Sequence, residues 1–167
     1  MTFSEVEILM FFLPRVLVAL LIGVLVGIER EYRGKLAGIK TNSLICVASA
    51  IFTATSALMS SDSQHLDVAN YDPTRIVAQI VSGIGFLGAG AIFKANNKVE
   101  GLTTAAVVWA VAALGIMVGF GIYLSSIVIA IIFIVFLGIV STLERRFFRV
   151  HGGAHGHPHV SKINSDT

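Results

Sequence analysis

Charge is scarce in this chain. Asp, Glu, Lys and Arg together make up 13% of its 167 residues, about half the roughly 25% of an average soluble domain. A soluble fold this short exposes much of its surface and needs charge to cover it, so the composition stands against a soluble globular protein. Cysteine is confined to Cys46, which excludes an internal disulfide and any multi-cysteine metal site. The net charge is only +2 and the 12 Lys and Arg are scattered, so no basic stripe points to nucleic acid. No Lys or Arg precedes the first apolar run and no small-residue cleavage site follows it, so that run reads as a retained helix and not as a signal peptide.

What is abundant is apolar, at 55% of residues. A bilayer core takes about 20 apolar residues per helix, and five stretches qualify: residues 8–28, 43–59, 75–93, 103–120 and 123–143. The expected fold is therefore all-α and polytopic, with five transmembrane helices in residues 1–145 and a flexible His-rich tail over residues 146–167. The second span is the weakest, because Ser49, Thr53, Thr55 and Ser56 dilute it, and it is expected to lean on its neighbours.

The cations fall on one side of these spans. Arg30, Arg33, Lys35 and Lys40 follow the first, Lys94 and Lys98 follow the third, and Arg145, Arg146, Arg149 and Lys162 follow the fifth. Cytoplasmic loops accumulate Lys and Arg, which puts the N-terminus outside and the C-terminus in the cytoplasm. Arg15 and Arg75 are the exceptions, lying inside the first and third spans near their outer ends.

Helices pack closely in lipid where small residues let backbones approach. Gly23 and Gly27 in the first span and Gly115 and Gly119 in the fourth have that spacing, and the third carries Gly83, Gly85, Gly88 and Gly90. Spans one, three and four are expected at the centre, and the Ile-, Val- and Phe-rich fifth against lipid. Gly83, Gly85 and Gly88 spell GxGxxG, but they lie deep in an apolar helix with no strand before them, so packing outweighs dinucleotide binding. A faint repeat relates Arg15 and Gly23 to Arg75 and Gly83, an arrangement used by some transporters.

Ionisable groups inside a membrane helix are candidate functional groups, because burying them is costly. Asp72, Arg75, Gln79 and Ser82 share one helical face that continues to Gly85 and Ala89, and with Arg15 beside Pro14 they could line a polar pathway. The alternative is that both arginines snorkel to outer headgroups. At the inner ends Glu29, Arg30, Thr41, Asn42, Thr103 and Thr104 form a second polar cluster, in which Thr41 and Thr103 are also N-cap candidates and Glu29 with Arg33 is an i, i+4 pair. Magnesium takes oxygen ligands, usually carboxylates, and no Asp or Glu lies mid-span. The residues alone fit an anion, a polar solute or a structural role better than magnesium conduction. His151, His155, His157 and His159 are weak metal-ligand candidates in the tail, where terminal disorder is the plainer reading.

Several strings together carry a family resemblance. They are Gly27-Ile-Glu-Arg-Glu, Ala37-Gly-Ile-Lys-Thr, Arg75-Ile-Val-Ala-Gln, Ser82-Gly-Ile-Gly-Phe-Leu-Gly-Ala-Gly and Gly101-Leu-Thr-Thr-Ala-Ala-Val-Val-Trp-Ala. Over roughly residues 12–130 the chain resembles the MgtC/SapB family of bacterial inner-membrane proteins. The resemblance implies a multi-pass inner-membrane protein linked to magnesium homeostasis, to growth at low magnesium and, in pathogens, to survival in macrophages. It implies a regulator or transport-associated protein, with no cofactor and no catalytic residue, that works with the bilayer and other membrane proteins. Longer members carry a soluble domain after the last span, whereas about 24 residues follow Leu143 here. The alternative function is a secondary transporter or channel for an ion or small polar solute, built on the two-hairpin repeat. Glycine-rich faces also permit a homo-oligomer.

The charge distribution makes a direct prediction. A reporter fused after Val150 scores cytoplasmic and one inserted near His65 scores periplasmic, and the reverse pattern would overturn the five-span topology.

Overall fold

The computed structural model describes residues 4–63, 72–95 and 97–148. They form five helices and a small hairpin: α1 (Glu5–Tyr32), α2 (Ile39–Ser63), α3 (Thr74–Gly90), β1 (Phe93–Ala95), β2 (Lys98–Glu100), α4 (Leu102–Gly119) and α5 (Tyr123–Phe148). Four of the helices, α1, α2, α4 and α5, are long and apolar enough to cross a membrane, and α3 is a shorter apolar helix of 17 residues. The all-α expectation holds at this level, with two differences around the third span. It ends at Gly90, and Phe93, expected at its end, instead pairs with Glu100 in an antiparallel hairpin that composition does not suggest.

The chain divides into two compact units, Met1–Ile134 and Val135–Thr167. In the second, the described residues are the last part of α5, where the Ser141 and Thr142 hydroxyls donate to the Leu137 and Gly138 carbonyls at 2.8 Å. Residues 146–148, expected to begin the flexible tail, instead continue α5, and residues 149–167, with all the tail histidines, lie outside the described residues.

In the first unit the centre is made by α1, α2 and α4. The buried residues of α1 are Ala19, Ile22, Gly23, Val26, Gly27 and Arg30, a stripe at three- and four-residue spacing. On α2 the buried positions Asn42, Cys46, Ser49, Thr53 and Ser56 alternate by four and three, a heptad seam of small side chains. The residues that dilute the hydropathy of α2 are thus the ones that let it be approached closely. α4 is buried at positions running its whole length, from Thr104 to Gly119.

Glycine sets these distances. A methyl group added at Gly23 would sit 2.5 Å from the Ser43 Cα, and one at Gly119 would sit 2.5 Å from the Thr53 Cβ. At Gly27 and Gly115 an added methyl would collide with the backbone of Ile39 and of Cys46. Gly101, the N-cap of α4, has φ +88, and a side chain there would run into the Ala91 carbonyl, so the turn from hairpin to helix requires glycine.

The expectation that span three is central is corrected by this packing. Only Ile84 and Gly88 of α3 are buried. Above Gly83, Gly85 and Gly90 there is open space, and Gly88 alone of the four faces a neighbour: a methyl group added there would lie 3.7 Å from the Ala105 Cβ. A cleft of about 560 Å³, walled by Ile45, Phe52, Ile76 and Ile80, separates much of α3 from α2. The central place is taken by α2, whose small polar residues pack against α1 and α4 better than an apolar ridge would. In the first unit, α5 buries Ser126 and Ala130 and leaves Leu124, Ile131 and Ile132 exposed, the pattern expected of a lipid-facing helix.

Substitution separates tight from open glycines. Gly27→Ala and Gly115→Ala are expected to lose about 1–3 kcal/mol of stability by forcing backbones apart. Gly83→Ala is expected to be neutral or slightly stabilising, by up to about 1 kcal/mol. Thermal unfolding in mild detergent reads both, and equal losses at Gly83 and Gly27 would contradict the packing.

Candidate functional site

Apart from Gln79 and Ser82, which lie in the middle of α3, the polar residues singled out from the sequence fall near helix ends. At the end where α1 begins and α4 stops, Arg15 is half-buried. Its Nε donates to the Gly119 carbonyl at 3.1 Å, its Nη1 donates to the Phe11 carbonyl, and the guanidinium lies 3.6 Å over the Phe11 ring. A cation at a helix C-terminus meets carbonyls that no residue further along the helix can satisfy. Arg15 therefore ties α1 to the last turn of α4, and the plane of its guanidinium serves both the carbonyl and the ring.

Arg75 is placed differently. It is exposed in the first turn of α3, and among the described residues its side chain makes no hydrogen bond or ion pair. Asp72 accepts from the Thr74 backbone N–H at 2.9 Å and from the Thr74 hydroxyl at 2.8 Å. The Thr74 hydroxyl, then its N–H, and beyond them the attraction of Arg75 hold the Asp72 carboxyl below the usual carboxylate range. This contribution to the start of α3 is present in the charged form and is lost as pH falls through the lowered value. Gln79 and Ser82 are exposed along the same face. Asp72, Arg75, Gln79 and Ser82 are all exposed, Gln79 bordering the cleft between α3 and α2, while Arg15 is engaged with carbonyls of α1 and α4.

The opposite end holds the second cluster. Arg30 is 1% exposed, and its Nη1 lies 3.8 Å from Glu29, which also pairs with Arg33 one turn on. The carboxylate of Glu29 is thus held by two guanidiniums. The Arg30 Nε and Nη2 are buried with no hydrogen-bond partner among the described residues. Asn42, fully buried, donates from Nδ2 to the Ala37 carbonyl at 2.8 Å and to the Gly38 carbonyl at 2.9 Å, and so clasps the loop that feeds α2. Glu31 accepts from the Ile39 N–H at 3.1 Å, satisfying a free donor at the start of α2. That contact spans eight residues and has no local sequence signal.

The threonines divide. Thr104 is buried, whereas Thr41 and Thr103 are exposed, and neither is an N-cap: α2 starts at Ile39 and the cap of α4 is Gly101. Thr103 and Thr104 border a cavity of about 570 Å³, together with Gly34, Lys35, Phe93 and Glu100. Its charges are mixed. Among the described residues no three His, Cys, Asp or Glu side chains converge as a metal site would require, and His151, His155, His157 and His159 lie outside those residues.

Loss of the Asn42 clasp has a definite expected cost. Asn42→Leu takes the side-chain donor from the buried Ala37 carbonyl and one of two donors from the Gly38 carbonyl, which keeps the backbone N–H of residue 42, and is expected to destabilise by about 1–3 kcal/mol. Thr41→Ala, next to it and exposed, is expected to stay within about 0.5 kcal/mol of the parent. Equal stability of the two variants in denaturant titrations would remove the structural role assigned to Asn42.

Known proteins share most of the segment that builds these clusters. Residues 16–146 match the MgtC family. Protein MgtC of Brucella abortus (strain 2308) is 49% identical over 117 residues, covering 70% of this chain and 45% of that protein. Protein MgtC of Salmonella typhimurium (strain 14028s / SGSC 2262) is 42% identical over 129 residues, covering 77% of this chain and 52% of that protein. The chain spans about half the length of these curated relatives. No solved structure matches it.

Proposed function

The chain belongs to the MgtC family, and from that premise we propose that it is a multi-pass protein of the bacterial inner membrane that serves magnesium homeostasis and adaptation to low magnesium. It acts as a non-enzymatic regulator or transport-associated protein, through contacts with other membrane proteins. Its N-terminus faces the periplasm and its Arg30 end the cytoplasm. In a pathogen this role extends to virulence.

The observation that carries the reading is the use made of the charged groups. Arg15 caps α4, and Glu29 is occupied by Arg30 and Arg33. Arg15 joins two helices and the Glu29 pairs stay within α1 and its C-cap, where a conduit for magnesium would present carboxylates and carbonyls to the ion. The glycines that bring α1, α2 and α4 into backbone contact support the same view, since they fill the middle of the bundle with protein.

Expression in a bacterium lacking its own member of the family tests this. The chain is expected to restore growth in low-magnesium medium, while purified protein in proteoliposomes passes no more magnesium than empty vesicles. Saturable magnesium flux in the vesicles would overturn the regulatory reading in favour of the transporter, and failure to restore growth would overturn the assignment to magnesium adaptation.

A further inference from the structure

Where α3 stands off from α2 and α4, three hollows adjoin. The cleft of about 560 Å³ between α2 and α3 shares Leu44, Ile45 and Leu87 with a second of about 540 Å³, which Gly90, Ala91 and Val108 also border. The second shares Leu36 and Thr104 with the cavity of about 570 Å³ at the start of α4. The first two are walled mostly by apolar residues, whereas the third carries Lys35, Glu100 and Thr103. At 1.5 Å per residue, the stretch of α3 from Ile76 to Gly90 that walls the apolar pair is about 21 Å long, against about 15 Å for the hydrocarbon of one leaflet. An apolar groove of leaflet length thus ends on a polar mouth.

The mouth has the donors of an anion site. Gly101 caps α4 without a side-chain bond, and among the described residues the N–H groups of Leu102, Thr103 and Thr104 meet no acceptor. These free donors and the positive end of the helix favour a phosphate. Thr104 is only 3% exposed and borders both the mouth and the apolar groove, and among the described residues its hydroxyl makes no hydrogen bond. A buried hydroxyl without a partner on the wall of a cavity calls for a ligand oxygen. Lys35 brings a cation to the same mouth and Glu100 an anion, and neither is in an ion pair among the described residues.

We propose that the groove holds one phospholipid whose headgroup carries both a phosphate and an ammonium, as phosphatidylethanolamine does. The phosphate takes the α4 N–H groups, the Thr104 hydroxyl and Lys35, and the ammonium pairs with Glu100. An acyl chain lies along Leu36, Leu87, Gly90 and Ile80. A lipid with a phosphate and no ammonium would set its charge against Glu100 with nothing to offset it. A helix of another protein would fill the apolar stretch but bring no phosphate to the start of α4. The proposal rests on the reading of the chain as a bilayer protein and is independent of its role in magnesium adaptation.

The test uses the full chain, purified in mild detergent and followed by native mass spectrometry. It is titrated with dioleoyl phosphatidylethanolamine, with dioleoyl phosphatidylglycerol and with phosphoethanolamine, which has no chains. One phosphatidylethanolamine is expected to bind, about tenfold more tightly than phosphatidylglycerol, and phosphoethanolamine not to be retained. Lys35→Ala is expected to weaken binding by about tenfold and Thr104→Val, which keeps the shape of the side chain, by about fivefold. Lys98→Ala, exposed on the hairpin and outside the mouth, leaves it unchanged. Gly90→Leu puts a side chain into open space in the groove and is expected to abolish binding without lowering the unfolding temperature. Phosphatidylglycerol or phosphoethanolamine bound as tightly as phosphatidylethanolamine would overturn the proposal. So would undiminished binding in Lys35→Ala, Thr104→Val or Gly90→Leu, or an equal loss in Lys98→Ala.

Discussion

Backbone contact between helices at glycine is the constraint on which the rest of this molecule depends. In lipid no hydrophobic drive pulls apolar helices together, so association relies on close van der Waals approach and on polar bonds between helices. Gly23 and Gly27 press α1 onto the start of α2, and Gly115 and Gly119 press α4 onto its middle. Three helices then share one seam, and the small residues of α2, Cys46, Ser49 and Thr53 among them, are its filling. Polar bonds close the two ends. Arg15 fastens α1 to the Gly119 carbonyl at the end of α4, and Asn42 clasps the loop between α1 and α2.

The same constraint explains what stands outside the seam. α3 carries as many glycines as any helix here, yet only Gly88 meets a neighbour. Gly88 is turned to Ala105 of α4, Ile84 lines the cleft against α2, and Arg75, Gln79 and Ser82 stay exposed. In the proposed function that asymmetry is useful: a tightly packed group of three helices holds its shape, and a loosely attached fourth offers a surface.

Much of this is legible in the sequence, and the part that is not has a physical reason. Helix number and positions follow from long apolar runs, and the Gly23/Gly27 and Gly115/Gly119 pairs announce close packing by their four-residue spacing. Spacing does not say on which side the partner lies. The glycines of α3 look like a central seam in the sequence because nothing local records that, among the described residues, only Gly88 of the four meets a neighbour. Hydropathy undervalues α2 for the converse reason, since it counts Ser49, Thr53 and Ser56 as losses while packing counts them as small. Arg15 stands out as an exception to the charge pattern, but its partner Gly119 is 104 residues away. Glu31 gives no signal of its own, because it caps a helix that starts eight residues later.

Membership of the MgtC family makes the arrangement one that relatives sharing these strings can be compared against, as the glycines and the Glu29-Arg30 pair lie within the matched residues 16–146. Solid-state NMR of the uniformly labelled chain in bilayers tests the central claim most directly, because glycine Cα signals are separable from all others. Cross-peaks from Gly23 to the Ser43 Cα and from Gly115 to the Cys46 carbonyl are expected, alongside none from Gly83 or Gly85 to α1, α2 or α4. Cross-peaks joining Gly83 or Gly85 to those helices, with none at Gly23 and Gly115, would contradict the account.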